Sequence, residues 1–240
     1  MAPIRAVLVD LDGTLLDTVP DLAAAVNRAH AELGLPERDV ELIATYVGRG
    51  LPMLVRRALA GTLDGEVDES LFQRAWPVFE RHYAAESGRR AKPYLGAREG
   101  IDRMRAQGLR LACVTNKSER FTLDLLRATG FLDAFEFAVC GDKVPKKKPD
   151  PAPVLLACER FALPPVEVLV IGDSMNDVQA ARAAGCQIWC VPYGYNEGRP
   201  FESLACDRAV GTLAEAARLL AKSEYADSIG ERGSHGGAPK

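Results

Sequence analysis

The stretch VLVDLDGTLLDT, residues 7–18, ends an apolar run with two aspartates two positions apart, followed at once by glycine and threonine. The run is short, rich in β-branched residues and bounded by glycine, which predicts a buried central strand from Ile4 to Asp10. Side chains alternate along a strand, so Asp10 and Asp12 would share a face and lie close together if the strand continued that far. Neighbouring carboxylates repel, and only a cation, a raised pKa or bond-making chemistry relieves that repulsion.

Composition and charge limit the classes of protein to which this sequence can belong. The 240 residues are 48 % hydrophobic and 26 % charged, which is ordinary globular usage, and the net charge of −3 argues against nucleic-acid or anionic-membrane partners. Six cysteines without a C-x-x-C pair, and no clustered histidines, indicate reduced core thiols rather than a zinc site. The sequence has no recognisable secretion signal and no apolar run long enough for a membrane helix, so we expect a cytoplasmic monomer or homodimer with small-molecule partners.

From residue 92 onward, apolar runs alternate with amphipathic helical stretches. The runs cover residues 109–115, 136–140, 167–173 and 187–192. Together with the first strand, this alternation predicts an α/β fold, a Rossmann-like parallel sheet with helices on both faces. We assign residues 1–16 and 92–222 to this core domain.

The intervening residues 17–91 have helical periodicity interrupted by glycine and proline, and no strand signal. They predict an all-helical cap domain inserted after the first strand, above the sheet edge where open α/β sheets bind ligands. Residues 223–240 are poor in apolar side chains and rich in glycine and serine, which predicts a disordered tail.

Polar side chains follow several predicted strands at their carboxyl ends. The set comprises Asp10, Asp12, Thr115, Asn116, Lys148, Asp173 and Asp177. Parallel strands would bring these loops to one crevice, where four acids, a hydroxyl and a lysine would meet. Such a mixture suits a hard divalent cation, most simply Mg²⁺, beside an anionic group.

Four segments resemble the motifs of the haloacid dehalogenase (HAD) superfamily of phosphatases. They are DLDGT, VTN, KKPDP and GDSMND, in the order expected for the superfamily. The resemblance extends from residue 1 to about residue 221. It implies a Mg²⁺-dependent enzyme that acts on a small phosphorylated metabolite through a covalent aspartyl-phosphate.

By that resemblance, Asp10 is the nucleophile and Asp12 is the general acid and then the general base. Magnesium would be held by the Asp10 carboxylate, the Asp12 backbone carbonyl and Asp173, with Asp177 helping directly or through water. Asp177 is equally suited to the first turn of a helix, where the dipole favours an acid.

The resemblance also assigns the phosphoryl ligands. Thr115 and Lys148 would bind the phosphoryl group, helped by Asn116 and the backbone amide of Gly13. Thr115 could instead cap the helix that follows it, and the two lysines before Lys148 are expected to be solvated loop residues.

The helical insert resembles the cap of the first HAD subclass, whose chemistries can be compared with this sequence. Asp12 argues against a dehalogenase, which lacks an acid at that position, and the absence of lysine from residues 17–91 excludes a phosphonatase, which needs one for a Schiff base. A β-phosphoglucomutase-like phosphotransferase remains open. An inactive HAD-like interaction protein is disfavoured, because such proteins typically lose an acid or the lysine.

Two longer segments point to a substrate. YVGRGLPMLVRRAL, residues 46–59, and DVQAARAAGCQIWCVPYGYNEGRP, residues 177–200, resemble the bacterial phosphoglycolate phosphatases. That resemblance implies 2-phosphoglycolate as substrate, with a sugar or amino-sugar phosphate as the alternative. Because the predicted cap has no lysine, we expect Arg49, in its glycine-flanked loop, to meet the substrate carboxylate.

Overall fold

The computed structural model describes residues 2–221, so the predicted tail lies outside the described residues. A six-stranded parallel sheet with strand order β5-β4-β1-β6-β7-β8 forms its centre. The strands are β1 (Ala6–Val9), β4 (Arg110–Val114), β5 (Phe137–Val139), β6 (Val168–Gly172), β7 (Gln187–Cys190) and β8 (Arg208–Ala209). The numbers β2 and β3 belong to a separate two-stranded ribbon.

The register of the three central strands positions the polar residues that follow them. Strand β1 lies between β4 and β6, with Val9 opposite both Cys113 and Ile171. The three strands therefore end at the same edge of the sheet, and the residue that follows each strand lies at that edge. This is the edge at which open α/β sheets bind ligands.

Helices cover both faces of the sheet. They are α5 (Ala97–Ala106), α6 (Glu119–Ala128), α7 (Ala152–Phe161), α8 (Met175–Ala184) and α9 (213–221). Strand β1 shows the alternation directly, because Val7 and Val9 are buried in the cluster with α5 and α6, whereas Ala6 and Leu8 are buried with α7 and α8. The predicted Rossmann-like α/β core is confirmed.

Four helices between the first and the later strands form the helical insert. They are α1 (Val19–Glu32), α2 (Val40–Thr45), α3 (Leu51–Ala60) and α4 (Glu69–Glu86). They bury an apolar cluster of their own, which includes Leu22, Ile43 and Phe79 and also receives Phe121 from α6. The prediction of an all-helical unit inserted after the first strand is therefore also confirmed.

The insert joins the sheet through two chain segments that lie side by side. Strands β2 (Leu16–Asp17) and β3 (Lys92–Pro93) pair in an antiparallel ribbon. Close to it, the buried carboxylate of Asp21 accepts backbone N–H bonds from Gly88 and Arg90, both at 2.8 Å. These contacts fix the position where the chain leaves α4 and returns to the core.

The six cysteines all lie within the described residues and carry free thiols, as expected from their spacing. The Sγ atoms of Cys158 and Cys186 approach to 3.8 Å in the core. Among residues 2–221, no helix combines the length and apolar character needed to cross a bilayer.

Candidate active site

Three carboxylates gather at the carboxyl edge of the sheet. Asp10 follows β1, Asp173 follows β6 and Asp177 lies in the first turn of α8, and each offers an oxygen within 4.8 Å of the others. Burial raises the pKa of Asp10 well above its usual 3.8 despite the nearby Lys148, and burial together with Asp177 raises the pKa of Asp173 to about 7. Buried, mutually repelling carboxylates of this kind fit a divalent cation with oxygen ligands.

Asp173 is fixed in place by both of its oxygens. Thr14 donates its hydroxyl to Oδ1 at 2.9 Å, and the backbone N–H of Tyr195 donates to Oδ2 at 2.8 Å. Gly13 has φ of +93°, and a Cβ at this position would lie 2.5 Å from Asp173 Oδ2. Only glycine allows the turn after β1 to approach the acid so closely.

Lys148 connects the cluster to the sheet. Its ammonium donates to Asp10 Oδ1, Asp177 Oδ1 and the carbonyl oxygen of Val114, each at 2.7 Å, and the residue is 5 % exposed. Burial alone would lower the pKa of Lys148, but the two carboxylates outweigh it and raise the pKa. Lys148 is therefore a fixed, permanently charged group beside Asp10.

Asp177 has structural partners for both carboxylate oxygens. Oδ1 accepts from Lys148, while Oδ2 accepts from the backbone N–H of Ser174 at 3.1 Å and from its hydroxyl at 2.7 Å. Ser174 is the N-cap of α8, so Asp177 completes a capping box. Of the two roles left open by the sequence, the first-turn role is present in the structure, and a contribution to a metal through water remains compatible with it.

Asp12 lies outside the acid cluster, contrary to the expectation from strand alternation. Strand β1 ends at Val9, so the two-residue period does not extend to Asp12. The Asp12 carboxylate accepts from Lys117 Nζ at 2.9 Å through both oxygens, and from the Thr18 hydroxyl at 2.6 Å. Pairing with Lys117 neutralises this second acid.

Lys117 is the functional candidate that the sequence interpretation missed. It is 2 % exposed, lines the pocket, and its ammonium lies 5.4 Å from the ring centroid of Tyr83 on α4. Burial opposes its charge, but Asp12 and Tyr83 outweigh burial and raise the pKa of Lys117. The available signal was its place directly after VTN, at the same sheet edge as the other polar residues.

Thr115 and Asn116 follow β4 and also line the pocket. The backbone N–H of Thr115 donates to Val139 at 3.0 Å, and its hydroxyl accepts from the Lys117 N–H at 3.2 Å. Asn116 Nδ2 donates to the carbonyl oxygens of Lys148 and Gly48, both at 2.8 Å. Helix α6 begins only after Ser118, so Thr115 does not occupy the N-cap position.

The helical insert supplies the opposite side of the pocket. Its lining residues are Leu22, Val47, Gly48, Gly50, Leu51 and Leu54. Arg49 is not among them, because its guanidinium turns away to Glu197, with 3.0 Å between Nε and Oε1, and its side chain is 48 % exposed. The expected contact between Arg49 and a bound substrate is therefore not supported by this geometry, since the buried carboxylate of Glu197 attracts the arginine instead.

Comparison with known proteins places this geometry in context. The family model for haloacid dehalogenase-like hydrolases matches residues 4–185. The phosphoglycolate phosphatase of Nitrosospira multiformis is 56 % identical over 221 residues, covering 92 % of this chain and 97 % of that protein. The phosphoglycolate phosphatase of Thiobacillus denitrificans is 51 % identical over the same length and with the same coverage.

A solved structure is also similar to this chain. The crystal structure of a predicted phosphoglycolate phosphatase from Haemophilus somnus superimposes with a TM-score of 0.85 and 32 % sequence identity. The match covers 91 % of this chain and 99 % of that one, so it includes both the sheet and the helical insert.

Proposed function

Because this chain belongs to the haloacid dehalogenase-like hydrolases, we propose that it is a Mg²⁺-dependent phosphatase that converts 2-phosphoglycolate to glycolate and phosphate. The observation that carries the proposal is the contact between Lys148 and Asp10 within a buried three-acid cluster. The cluster combines a carboxylate nucleophile with charges of the sign needed to neutralise a phosphoryl group. The names of the 51–56 % identical relatives support the choice of substrate.

The donor set fits magnesium. Asp10 and Asp173 would hold the ion with the backbone carbonyl of Asp12, and Asp177 would act through water because its oxygens already accept from Ser174 and Lys148. When bound, the ion supplies positive charge that polarises the phosphoryl oxygens. The pKa values of Asp10 and Asp173 are raised because both groups are buried. They have too little positive charge nearby to ionise easily.

The chain itself provides the phosphoryl ligands. Lys148 lies beside Asp10, and its second bond to the Val114 carbonyl oxygen directs the ammonium toward the nucleophile proposed here. Thr115 and Asn116 emerge from the adjacent strand, and Gly13 lies against the Asp173 carboxylate. These groups are proposed to bind the phosphoryl oxygens and to hold the phosphorus in line with the attacking oxygen of Asp10.

Two half-reactions follow from these positions. In the first, an Asp10 oxygen attacks phosphorus, the bond from phosphorus to the ester oxygen breaks, and Asp12, as general acid, supplies the proton that the leaving oxygen takes. In the second, Asp12 removes a proton from water, the water oxygen attacks phosphorus, and the Asp10 carboxylate is released with inorganic phosphate. Lys117 and Thr18 hold Asp12 apart from the acid cluster, so it can serve the leaving group.

The second anion of the substrate needs a cation other than Lys148. The carboxylate of 2-phosphoglycolate is one carbon from the ester oxygen, so it must lie near Asp12. Among the described residues that line the pocket, Lys117 is the lysine adjoining Asp12, and we assign it the role first expected of Arg49. The helical insert, residues 17–91, is proposed to act as a cap whose leucine and valine side chains exclude longer substrates.

A panel of small phosphate esters assayed with Mg²⁺ tests this function. We expect 2-phosphoglycolate to give the highest kcat/KM, ahead of sugar phosphates, amino-sugar phosphates and p-nitrophenyl phosphate. Chelation should abolish turnover and Mg²⁺ should restore it, whereas Ca²⁺ should bind without supporting activity because its larger shell engages both oxygens of a carboxylate. A higher kcat/KM for a sugar phosphate, or full activity after chelation, would overturn the assignment.

A further inference from the structure

The loop after β7 contacts both the acid cluster and the beginning of the helical insert. Its Tyr195 donates a backbone N–H to Asp173 and a side-chain hydroxyl to Asp17 at 2.8 Å. The same hydroxyl accepts from the backbone N–H of Thr18 at 2.9 Å, directly before α1. The chemistry proposed above does not use this loop beyond its contact with Asp173.

Two residues later, Glu197 reaches from the core into the insert. Its Oε1 accepts from Arg57 at 2.7 Å and from Arg49 Nε at 3.0 Å. Glu197 and Arg57 are 7 % and 4 % exposed, so this ion pair lies away from solvent. Arg57, on α3, also donates to the carbonyl oxygens of Tyr46 at 3.1 Å and Leu63 at 3.2 Å. The core thus supplies the counter-charge for a cation buried in the insert.

The backbone of this loop adopts an uncommon conformation. Asn196 and Glu197 have φ values of +40° and +50°, in the left-handed region that side chains other than asparagine and aspartate rarely occupy. Asn196 tolerates it and accepts a backbone N–H bond from Met175 at 3.2 Å. For Glu197 the conformation is unfavourable locally, so the contacts of its carboxylate must compensate.

Both partners of Glu197 are connected to the insert loop at residues 46–50. Arg49 belongs to that loop, and Arg57 holds its first carbonyl oxygen, that of Tyr46. On the other side of the loop, Asn116 donates to Gly48. Val47, Gly48 and Gly50 line the pocket, so any movement of the loop changes the space available to a substrate.

We propose that Glu197 is a positioning residue, which holds the loop at 46–50 over the pocket through Arg57 and Arg49 without touching the substrate. Removing one member of a buried ion pair leaves the other charge uncompensated, which favours conformations in which water reaches it. Withdrawal of the insert from the core would separate Arg57 from Glu197 and expose it to water. The ion pair therefore favours the conformation in which the insert covers the pocket, and its loss reduces the fraction of protein ready to bind.

Glu197→Gln tests this role, with Glu202→Gln as the matched control because Glu202 is an exposed acid a few residues further along the chain. Hydrogen–deuterium exchange without ligand should rise in residues 46–51 of Glu197→Gln, while strands β1, β4 and β6 exchange as in the wild type. KM for the best phosphate ester should rise about tenfold, with kcat within about twofold. The kinetic result rests on the proposed phosphatase function; the exchange result does not.

Several outcomes would overturn the proposal. Exchange at 46–51 equal to that of Glu202→Gln, or faster exchange throughout the core strands, would mean that Glu197 does not act on the insert loop. A loss of kcat with unchanged KM would place it in the chemistry instead. If Glu197→Gln does not fold, Arg49→Gln removes only the half-exposed partner, and it must raise exchange at 46–51 above that of the wild type or the proposal fails. A wild-type protein without phosphatase activity would refute the proposed function, while the exchange data would still decide the role of Glu197.

Discussion

The core side and the insert side of the pocket are lined by residues of different chemical character. On the core side, four acids and two lysines lie at the ends of β1, β4 and β6, in the loops beside them or in the first turn of α8. Most of them are fixed by two or more hydrogen bonds. On the insert side, the lining is apolar side chains and glycine backbone. The difference supports the proposed division of roles, in which the sheet edge would perform the chemistry and the insert would limit which molecules reach it.

The largest effect should come from the core side. Asp10→Asn keeps the size of the side chain but removes the proposed nucleophile, so kcat should fall on the order of 10³-fold or more. Asp12→Asn should slow both half-reactions but leave Asp10 able to accept a phosphoryl group. Steady-state kinetics on purified variants measures both. Retention of more than a few per cent of wild-type kcat by Asp10→Asn would contradict the assignment.

Lys117→Met tests the lysine that lies where the core side and the insert side of the pocket meet. It removes the ammonium that fixes Asp12 and is proposed to meet the substrate carboxylate, so kcat/KM for 2-phosphoglycolate should fall about 100-fold, or ~3 kcal/mol. The loss with p-nitrophenyl phosphate, which has no carboxylate and a better leaving group, should be smaller. Lys143→Met, at an exposed lysine paired with Glu119, is the control. Equal losses on the two substrates would mean that Lys117 only orients Asp12.

Gly50→Ala tests the insert side. Gly50 has φ of +85°, and a Cβ there would lie 3.0 Å from the Asn116 carbonyl oxygen and from Lys147 Nζ. Gly34→Ala is a matched control, because Gly34 has φ of +67° and no atom within 4 Å of an added Cβ. Both variants should lose about 1 kcal/mol of stability, but only Gly50→Ala should raise KM, by about fivefold. A comparable KM increase in Gly34→Ala would show that the effect is not local.

The smallest expected effect is a pH dependence of metal-induced stabilisation. The pKa of Asp173 is raised to about 7, so between about pH 4 and pH 7 the metal-free folded state binds more protons than the unfolded state and loses stability as pH rises. Magnesium needs ionised carboxylates, so its stabilising effect should grow over the same range.

Melting temperatures with and without Mg²⁺, at about pH 5.5 and pH 8, measure this effect. At 100-fold excess over Kd the ion should add about 2.7 kcal/mol, or roughly 5 to 10 °C, at the higher pH and clearly less at the lower pH. Asp173→Asn should remove the difference. An Mg²⁺-induced shift that is larger at pH 5.5 would contradict the assignment of these acids to the metal.

The parts of the fold that follow from local pattern were predictable from the sequence. Apolar runs of five to seven residues alternating with helical stretches predicted the parallel sheet, and the polar residues that end three of these runs predicted where Asp10, Thr115 and Asp173 emerge. Strand lengths were overestimated, because β1 ends at Val9 rather than at Asp10. The two-residue strands β2, β3 and β8 were not predicted, since so short a segment has no measurable periodicity.

Side-chain orientation at the site was less predictable, because it depends on partners distant in the sequence. Asp12 turns to Lys117, which is 105 residues away in the sequence, and Arg49 turns to Glu197, which belongs to the core rather than to the insert. Both interactions are formed by long, flexible or charged side chains that could reach several partners. Burial decides which partner each side chain contacts. Local sequence identifies such residues as candidates but does not identify the partner.

The most direct test of the account is to trap the phosphoryl group on Asp10. Rapid acid quenching during turnover of 2-phosphoglycolate with Mg²⁺, followed by proteolysis and mass spectrometry, should give an acid-stable, hydroxylamine-labile phosphoryl group on the peptide that contains Asp10. The adduct should accumulate further in Asp12→Asn, where its hydrolysis is slowed, and be absent from Asp10→Asn. Active enzyme that never yields this adduct, or yields it on another residue, would contradict the assignment of Asp10 as the nucleophile.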